Sequence, residues 1–335
     1  MNSTTMTEQE YPDYTYTPYT VNQTTDSPPC DAVCIFYAVT NVIIIVLGVA
    51  GNGLVIWIAG FKVKKSVVST WYLSLAVSDF IFCSFLSFRI IYMIKGEWLF
   101  GRFMCKFSYF IVFLNMYSSI FLLVIISVDR CVIVTFPVWA QNKRTVKKAS
   151  VVVMLAWIIS AALSTHSAVS LELFKPKTVF YCTYINFQNY IAAIACRLIF
   201  LFVIPFLIIL ICYIVIIRKL KSNQMAKSKK PFKIMTVLIV TFLICWLPYH
   251  TIILMDLFMI YDDSLDTAYV FSLILASANS CLNPFLYAFM GKDIKEQCYA
   301  LWLKIENAVR EEDDLNTIQG TAYTTSGESR HSTSI

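Results

Sequence analysis

Seven long apolar runs, three of them interrupted by a proline, constrain this chain more than any other feature. They cover residues 32–61, 69–94, 104–136, 150–169, 189–217, 232–260 and 267–290. A helix needs about 20 mainly apolar residues to cross a bilayer. In hydrocarbon every backbone N–H and C=O must be paired within the protein, so a chain of such spans folds as a bundle of helices. A proline breaks that accounting, because it lacks an N–H and leaves the carbonyl four residues earlier without its donor. Pro205, Pro248 and Pro284 therefore require a neighbouring helix or a water to re-satisfy the freed carbonyl, and they mark bendable spans. The expected fold is an all-α membrane protein, a seven-transmembrane helix bundle.

Composition agrees. The chain is 58% hydrophobic and 14% charged with a mean hydropathy of +0.66, outside the balance of a soluble domain. Cytoplasmic segments near the spans retain Lys and Arg. Of 27 such residues, seven (Arg89, Lys95, Arg102, Lys106, Lys175, Lys177, Arg197) fall away from the basic side and the other 20 on or near it. That distribution predicts a multi-pass protein with its N-terminus outside. The net charge of +6 then reports topology and implies no nucleic acid. Residues 1–31 lack the basic start and apolar core of a cleavable signal, so the first span is expected to act as its own anchor.

Four regions follow: an extracellular tail over 1–31, the bundle over 32–290, an amphipathic membrane-surface helix over 291–305 and a cytoplasmic tail over 306–335. The outer tail is acidic and rich in tyrosine, with glycan acceptor patterns at Asn2 and Asn22; Tyr11 and Tyr14 suit sulfation, or the tail is unmodified. In the amphipathic stretch, Cys298 is either a palmitoylation site or a plain thiol. The last tail is rich in Ser and Thr, and phosphorylation would make it strongly anionic. Most of the 11 cysteines sit inside spans as small apolar residues. Cys105 and Cys182 both face the oxidising side and are expected to form a bridge. Cys30 and Cys34 pair with each other or leave one thiol free.

The motifs now carry a resemblance. Gly51-Asn52, Leu75-Ala76-Val77-Ser78-Asp79, Cys105, Asp129-Arg130-Cys131, Trp157, Pro205 with Tyr213, Cys245-Trp246-Leu247-Pro248 and Asn283-Pro284 with Tyr287 occur in order, one group after another along the spans. By these the chain resembles class A, rhodopsin-like G-protein-coupled receptors over residues 32–305. Segments such as Phe136-Pro137-Val138-Trp139-Ala140-Gln141-Asn142 and Cys245-Trp246-Leu247-Pro248-Tyr249-His250-Thr251 look like its chemoattractant branch, the chemerin, formyl-peptide and anaphylatoxin receptor group.

The resemblance implies roles. A carboxylate within the membrane is costly, so Asp79 must have partners. Residues Asn115, Ser119, Asn279 and Asn283 match a family cavity around an allosteric sodium ion, roofed by Trp246; a water-filled hydrogen-bond network alone would also satisfy Asp79. No other cofactor is expected. Asp129 and Arg130 would neutralise one another at rest, and activation would swing the sixth span, bent at Pro248, outward while Tyr213 and Tyr287, beside Pro284, rearrange toward Arg130. With Lys227-Ser228-Lys229-Lys230 low on that span, no acid offers a second lock.

The ligand is read from charges. The third span holds no acid between Cys105 and Asp129 to pair with an amine, and the seventh holds no lysine for a retinal Schiff base. A monoamine receptor and an opsin are both set aside. Arg89 and Arg197 are cations in apolar surroundings, and guanidinium binds carboxylate in a two-pronged fork. The expected ligand is an extracellular peptide or protein tail ending in a carboxylate, between Arg89 and Arg197, with Phe113, Tyr117, Tyr249 and Leu273 as walls. The alternative is that one of the arginines pairs within the protein, with Asp256 or a backbone carbonyl. A carboxylate-bearing lipid mediator is the alternative ligand, and a transporter or channel the alternative class. The expected partners are an inhibitory-class heterotrimeric G protein, arrestin, receptor kinases and membrane lipid, and the expected location is the plasma membrane. The chain reads as a receptor and not an enzyme, with no catalytic residue assigned.

Overall fold

The computed structural model describes residues 30–175, 178–184, 186–222, 230–258, 263–290 and 296. Among these, seven helical segments are long and apolar enough to cross a membrane. Helix α1 (Ala32–Trp57) begins where the Asp31 carboxylate accepts the Cys34 N–H at 2.8 Å, and it runs into a wide π turn, Ile58–Lys62. Helix α2 (Val67–Lys95) opens on a reciprocal cap between Ser66 and Ser69. It stops at Gly96, whose φ of 66° is the left-handed conformation that glycine adopts without penalty. Helix α3 spans Gly101–Thr135, and the short α4 (Pro137–Lys143) starts on a proline, whose missing N–H costs nothing at that position. Helix α5 (Val146–Val169) is capped by Thr145 and starts four residues earlier than the 150–169 reading.

A feature that hydropathy did not foresee follows. Strands β1 (Leu171–Phe174) and β2 (Tyr181–Tyr184) form an antiparallel hairpin with Leu171 opposite Tyr184 and Leu173 opposite Cys182. Helix α6 (Phe187–Arg197), capped by Asn186, passes through a second π turn, Leu198–Val203, into α7 (Ile204–Ser222). Pro205 thus sits in the first turn after a widened segment, where its missing N–H disturbs the ladder least. Helices α8 (Lys230–Leu257) and α9 (Asp263–Met290) carry Pro248 and Pro284 in their interiors.

Helix α3 is the axis of the bundle. Of its most apolar stretch 72% is buried, against 17–39% for the other spans, and it packs on α2, α5, α7 and the hairpin. Large apolar side chains such as Met154, Ile158, Ile211 and Ile244 face outward, a surface suited to lipid. The carbonyl freed by Pro284 belongs to Ser280, and it accepts the Asn52 side-chain amide from α1 at 2.9 Å. Gly51 lets that approach happen, since a Cβ there would stand 3.1 Å from the Pro284 ring.

Candidate functional site

One end of the bundle is built around Trp98. It is buried between Tyr92 and Phe100 beside the Cys105–Cys182 disulfide, its backbone N–H donates to Phe180 O at 2.7 Å and its indole donates to Gly101 O at 2.9 Å. These contacts clamp the hairpin to the start of α3. Glu172 on β1 adds ion pairs to Lys106 at 2.8 Å and to Arg102, and hydrogen bonding, first from Lys106 and then from Arg102, holds its carboxyl below the usual glutamate value. Cys30 and Cys34 also form a disulfide, which ties the residue before the Asp31 cap to the first turn of α1.

Beneath the hairpin lies an open cavity, with about 1270 Å³ of space between its walls when the part continuous with solvent is counted. It brings together Arg89 of α2, Phe113 of α3, Arg197 of α6, Tyr249 and Asp256 of α8 and Leu273 of α9, with Trp246 also in its wall. Arg197 is 6% exposed; its Nε donates to Ala193 O at 3.1 Å, its Nη1 to the Tyr249 hydroxyl at 3.2 Å, and its guanidinium lies 5.3 Å from the Phe113 ring centre. Arg89 stands 5.1 Å from the Tyr109 ring, with Tyr37 and Tyr269 beside it. Among the described residues, the ion pairs are Arg102 and Lys106 with Glu172, and Arg130 and Arg144 with Asp129; neither cavity arginine takes part. Neutral oxygens, the Ala193 carbonyl among them, and ring faces contact both cations, and two acids, Asp256 and Asp266, line the same cavity. Asp256 accepts a hydrogen bond from the Tyr190 hydroxyl at 2.6 Å.

Tyr117 stands apart from the other expected wall residues. It lies one helical turn beyond Phe113, is fully buried, points its hydroxyl to Cys196 Sγ at 3.8 Å and does not line the cavity. Packing between α3 and α6 claims that side chain. Tyr109, Tyr37 and Tyr190, which were not singled out, do line the cavity; as isolated tyrosines in apolar runs they carry no signal of it.

Asp79 lies mid-bundle with no exposed surface. One oxygen accepts from Asn115 Nδ2 at 2.8 Å and Ser119 Oγ at 3.2 Å, and the other from Asn283 Nδ2 at 2.7 Å. Asn279 is also buried, but its Nδ2 has no hydrogen-bond partner among the described residues, whereas the unforeseen Ser280 donates to Asn115 Oδ1 at 3.2 Å. The set offers one carboxylate, two serine hydroxyls and three amide oxygens, which fits a hard monovalent cation; the amide nitrogens now facing Asp79 would have to turn.

At the opposite end, Asp129 meets two arginines. Arg130 approaches at 3.4 Å, but Arg144, just after α4, makes the closer contact: Nε to one oxygen at 2.6 Å and Nη2 to the other at 2.9 Å. In the sequence Arg144 is one of the 20 Lys and Arg residues of the basic side, with nothing to set it apart. Tyr213 is half-buried on α7. The Tyr287 side chain, Asn2, Asn22, Cys298 and the 291–305 helix fall outside the described residues, Glu296 apart.

Comparison with known proteins places this architecture. The family "7 transmembrane receptor (rhodopsin family)" matches residues 51–287. The human chemerin-like receptor 1 is 40% identical over 332 residues, covering 90% of this chain and 87% of that protein. The mouse formyl peptide receptor-related sequence 6 is 36% identical, covering 87% and 92%. The C3a anaphylatoxin chemotactic receptor of Oncorhynchus mykiss is 39% identical, covering 80% and 77%. A bridged hairpin over a cationic cavity, a polar centre on Asp79 and an Asp129–Arg130 pair at the far end thus sit on a chain similar to receptors throughout. This chain belongs to the rhodopsin family of seven-transmembrane receptors, in the chemerin, formyl-peptide and anaphylatoxin receptor group.

Proposed function

We propose that this plasma-membrane receptor takes a chemoattractant-type ligand, a peptide or protein tail whose terminal carboxylate enters the cavity between Arg89 and Arg197. The observation that carries the reading is a pair of guanidiniums in one cavity, contacted by neutral oxygens and aromatic ring faces. A ligand carboxylate would supply the counter-charge and the two-pronged geometry guanidinium favours. Phe113, Tyr249 and Leu273 supply apolar wall, and Asp256 with Tyr190 sets a polar point on the rim. The end bearing the hairpin and the N-terminus faces outside, in line with the Lys and Arg distribution.

Ligand that binds the active arrangement more tightly shifts a pre-existing equilibrium. Trp246 lies in the cavity wall on the Pro248-bearing helix, so the wall and the bend move together. Opening at the other end exposes Arg130 to a heterotrimeric G protein of the inhibitory class, and phosphorylation of the 306–335 tail by receptor kinases recruits arrestin. Asp79, Asn115, Ser119 and Asn283, with Asn279 nearby, would hold a sodium ion that favours the resting state.

Arg197→Ala and Arg89→Ala test the ligand. Removing one partner of a buried charged contact costs about 2–5 kcal/mol, so agonist potency is expected to fall roughly 30-fold or more in each. An amidated peptide should lose as much on the unaltered receptor. Unchanged potency in both variants would refute the reading. Deleting residues 1–26 separates the ligand classes: a peptide agonist weakens, whereas a fatty-acid agonist does not.

A further inference from the structure

We infer that Arg144 is a positioning residue for G-protein activation, holding the Asp129 carboxylate so that Arg130 stays releasable. The geometry is a competition for one acid. Arg144 engages both Asp129 oxygens, at 2.6 and 2.9 Å, while Arg130 reaches one of them at only 3.4 Å. Among the described residues, the same Arg130 nitrogen is buried and has no hydrogen-bond partner. Asp129 is the more enclosed member of this group, its side chain 9% exposed against 24% for Arg144 and 18% for Arg130. A two-pronged contact satisfies the carboxylate more fully than a single long one.

Position makes this more than a surface pair. Arg144 is the first residue after α4, and its N–H donates to Ala140 O at 3.2 Å, so the short helix is tied to α3 through Asp129. Moving that helix would change how much of Asp129 is left for Arg130. Removing the Arg144 side chain returns both oxygens to Arg130 and deepens the resting state. The inference rests on G-protein coupling through Arg130, and its test keeps the two apart.

Full-length receptor in lipid nanodiscs is assayed for ligand-free nucleotide exchange on purified heterotrimeric G protein, with Arg130→Ala as the coupling control. A second readout is the distance between spin labels at the Arg130 ends of α5 and α8. Arg144→Ala is expected to lower basal exchange about fivefold, the size of a partly exposed ion-pair effect, and to shrink the open fraction seen by the labels. Arg144→Lys, which keeps the charge without the fork, should fall in between. In an Asp129→Asn background Arg144→Ala should change neither readout. Basal exchange or open fraction that rises or stays level in Arg144→Ala overturns the proposal, as does an equal fall with Asp129→Asn. If even the unaltered receptor drives no exchange, the coupling reading fails and the label distances still decide the role of Arg144.

Discussion

The Ser280 carbonyl loses its helical donor to Pro284 and takes the Asn52 amide at 2.9 Å in its place. Asn52 also donates to Gly48 O at 2.9 Å, but that carbonyl has the α1 backbone as a second source, so the Ser280 bond is the one nothing else replaces. Leaving a buried acceptor unpaired costs about 1–3 kcal/mol. Asn52→Ala should therefore lower thermal stability by that order. Pro284→Ala gives residue 284 an N–H that can reach Ser280 O, so the cost of Asn52→Ala should shrink by about 1 kcal/mol in that background. Unfolding of the four proteins in one detergent, followed by intrinsic fluorescence, measures the cycle; equal costs in both backgrounds would mean that Asn52 acts some other way. The same residue-by-residue accounting explains what could be read without coordinates. A mid-span proline announces a missing donor wherever it stands, and only the fold tells that the replacement comes from Asn52.

The β1–β2 hairpin is the element that covers the cavity, and the contacts that hold it include the Cys105–Cys182 bridge, the Phe180 carbonyl on Trp98 N–H and the Glu172 ion pairs. Only the last titrates in the acid range. The folded carboxyl of Glu172 lies below its ordinary value, so its contribution is complete above pH about 4.5 and is lost as pH falls through the lower folded value. Hydrogen exchange of the 171–184 amides should accelerate on acidification below that point. Glu172→Gln should exchange faster at neutral pH and show no further acid step of its own; an acid step of the same size in the variant would assign the effect to another group. This element was not legible in advance for a physical reason. Leu-Glu-Leu-Phe and Tyr-Cys-Thr-Tyr are too short for periodicity to speak, and what pairs them are partners distant in sequence. The spans were legible because hydrocarbon imposes length and apolarity on each one independently. The Arg144 contact was hidden for the same reason as the hairpin, since a basic loop residue looks alike whether it faces solvent or grips Asp129.

At the scale of the whole molecule, the cavity and the Asp129 centre lie at opposite ends, and the polar group on Asp79 stands between them. It joins α2, α3 and α9 through Asn115, Ser119 and Asn283, and Ser280, whose hydroxyl donates to Asn115, has its carbonyl held by Asn52 of α1. One change in this group is felt by four helices. A sodium ion favouring the resting arrangement must weaken agonist binding by the same factor by which agonist weakens sodium binding, because coupling between two sites is reciprocal. Agonist affinity measured in sodium chloride should therefore be about 5- to 100-fold lower than in N-methylglucamine chloride of equal ionic strength, the usual span of a coupling free energy. Asp79→Asn removes the only carboxylate of the group while keeping its shape, and should make affinity equal in the two salts. Arg197→Ala should lower affinity in both salts and leave their ratio alone, since it acts on the ligand and not on the coupling. A salt ratio that survives Asp79→Asn would locate the sodium effect elsewhere and leave the Asp79 network as a purely structural tie.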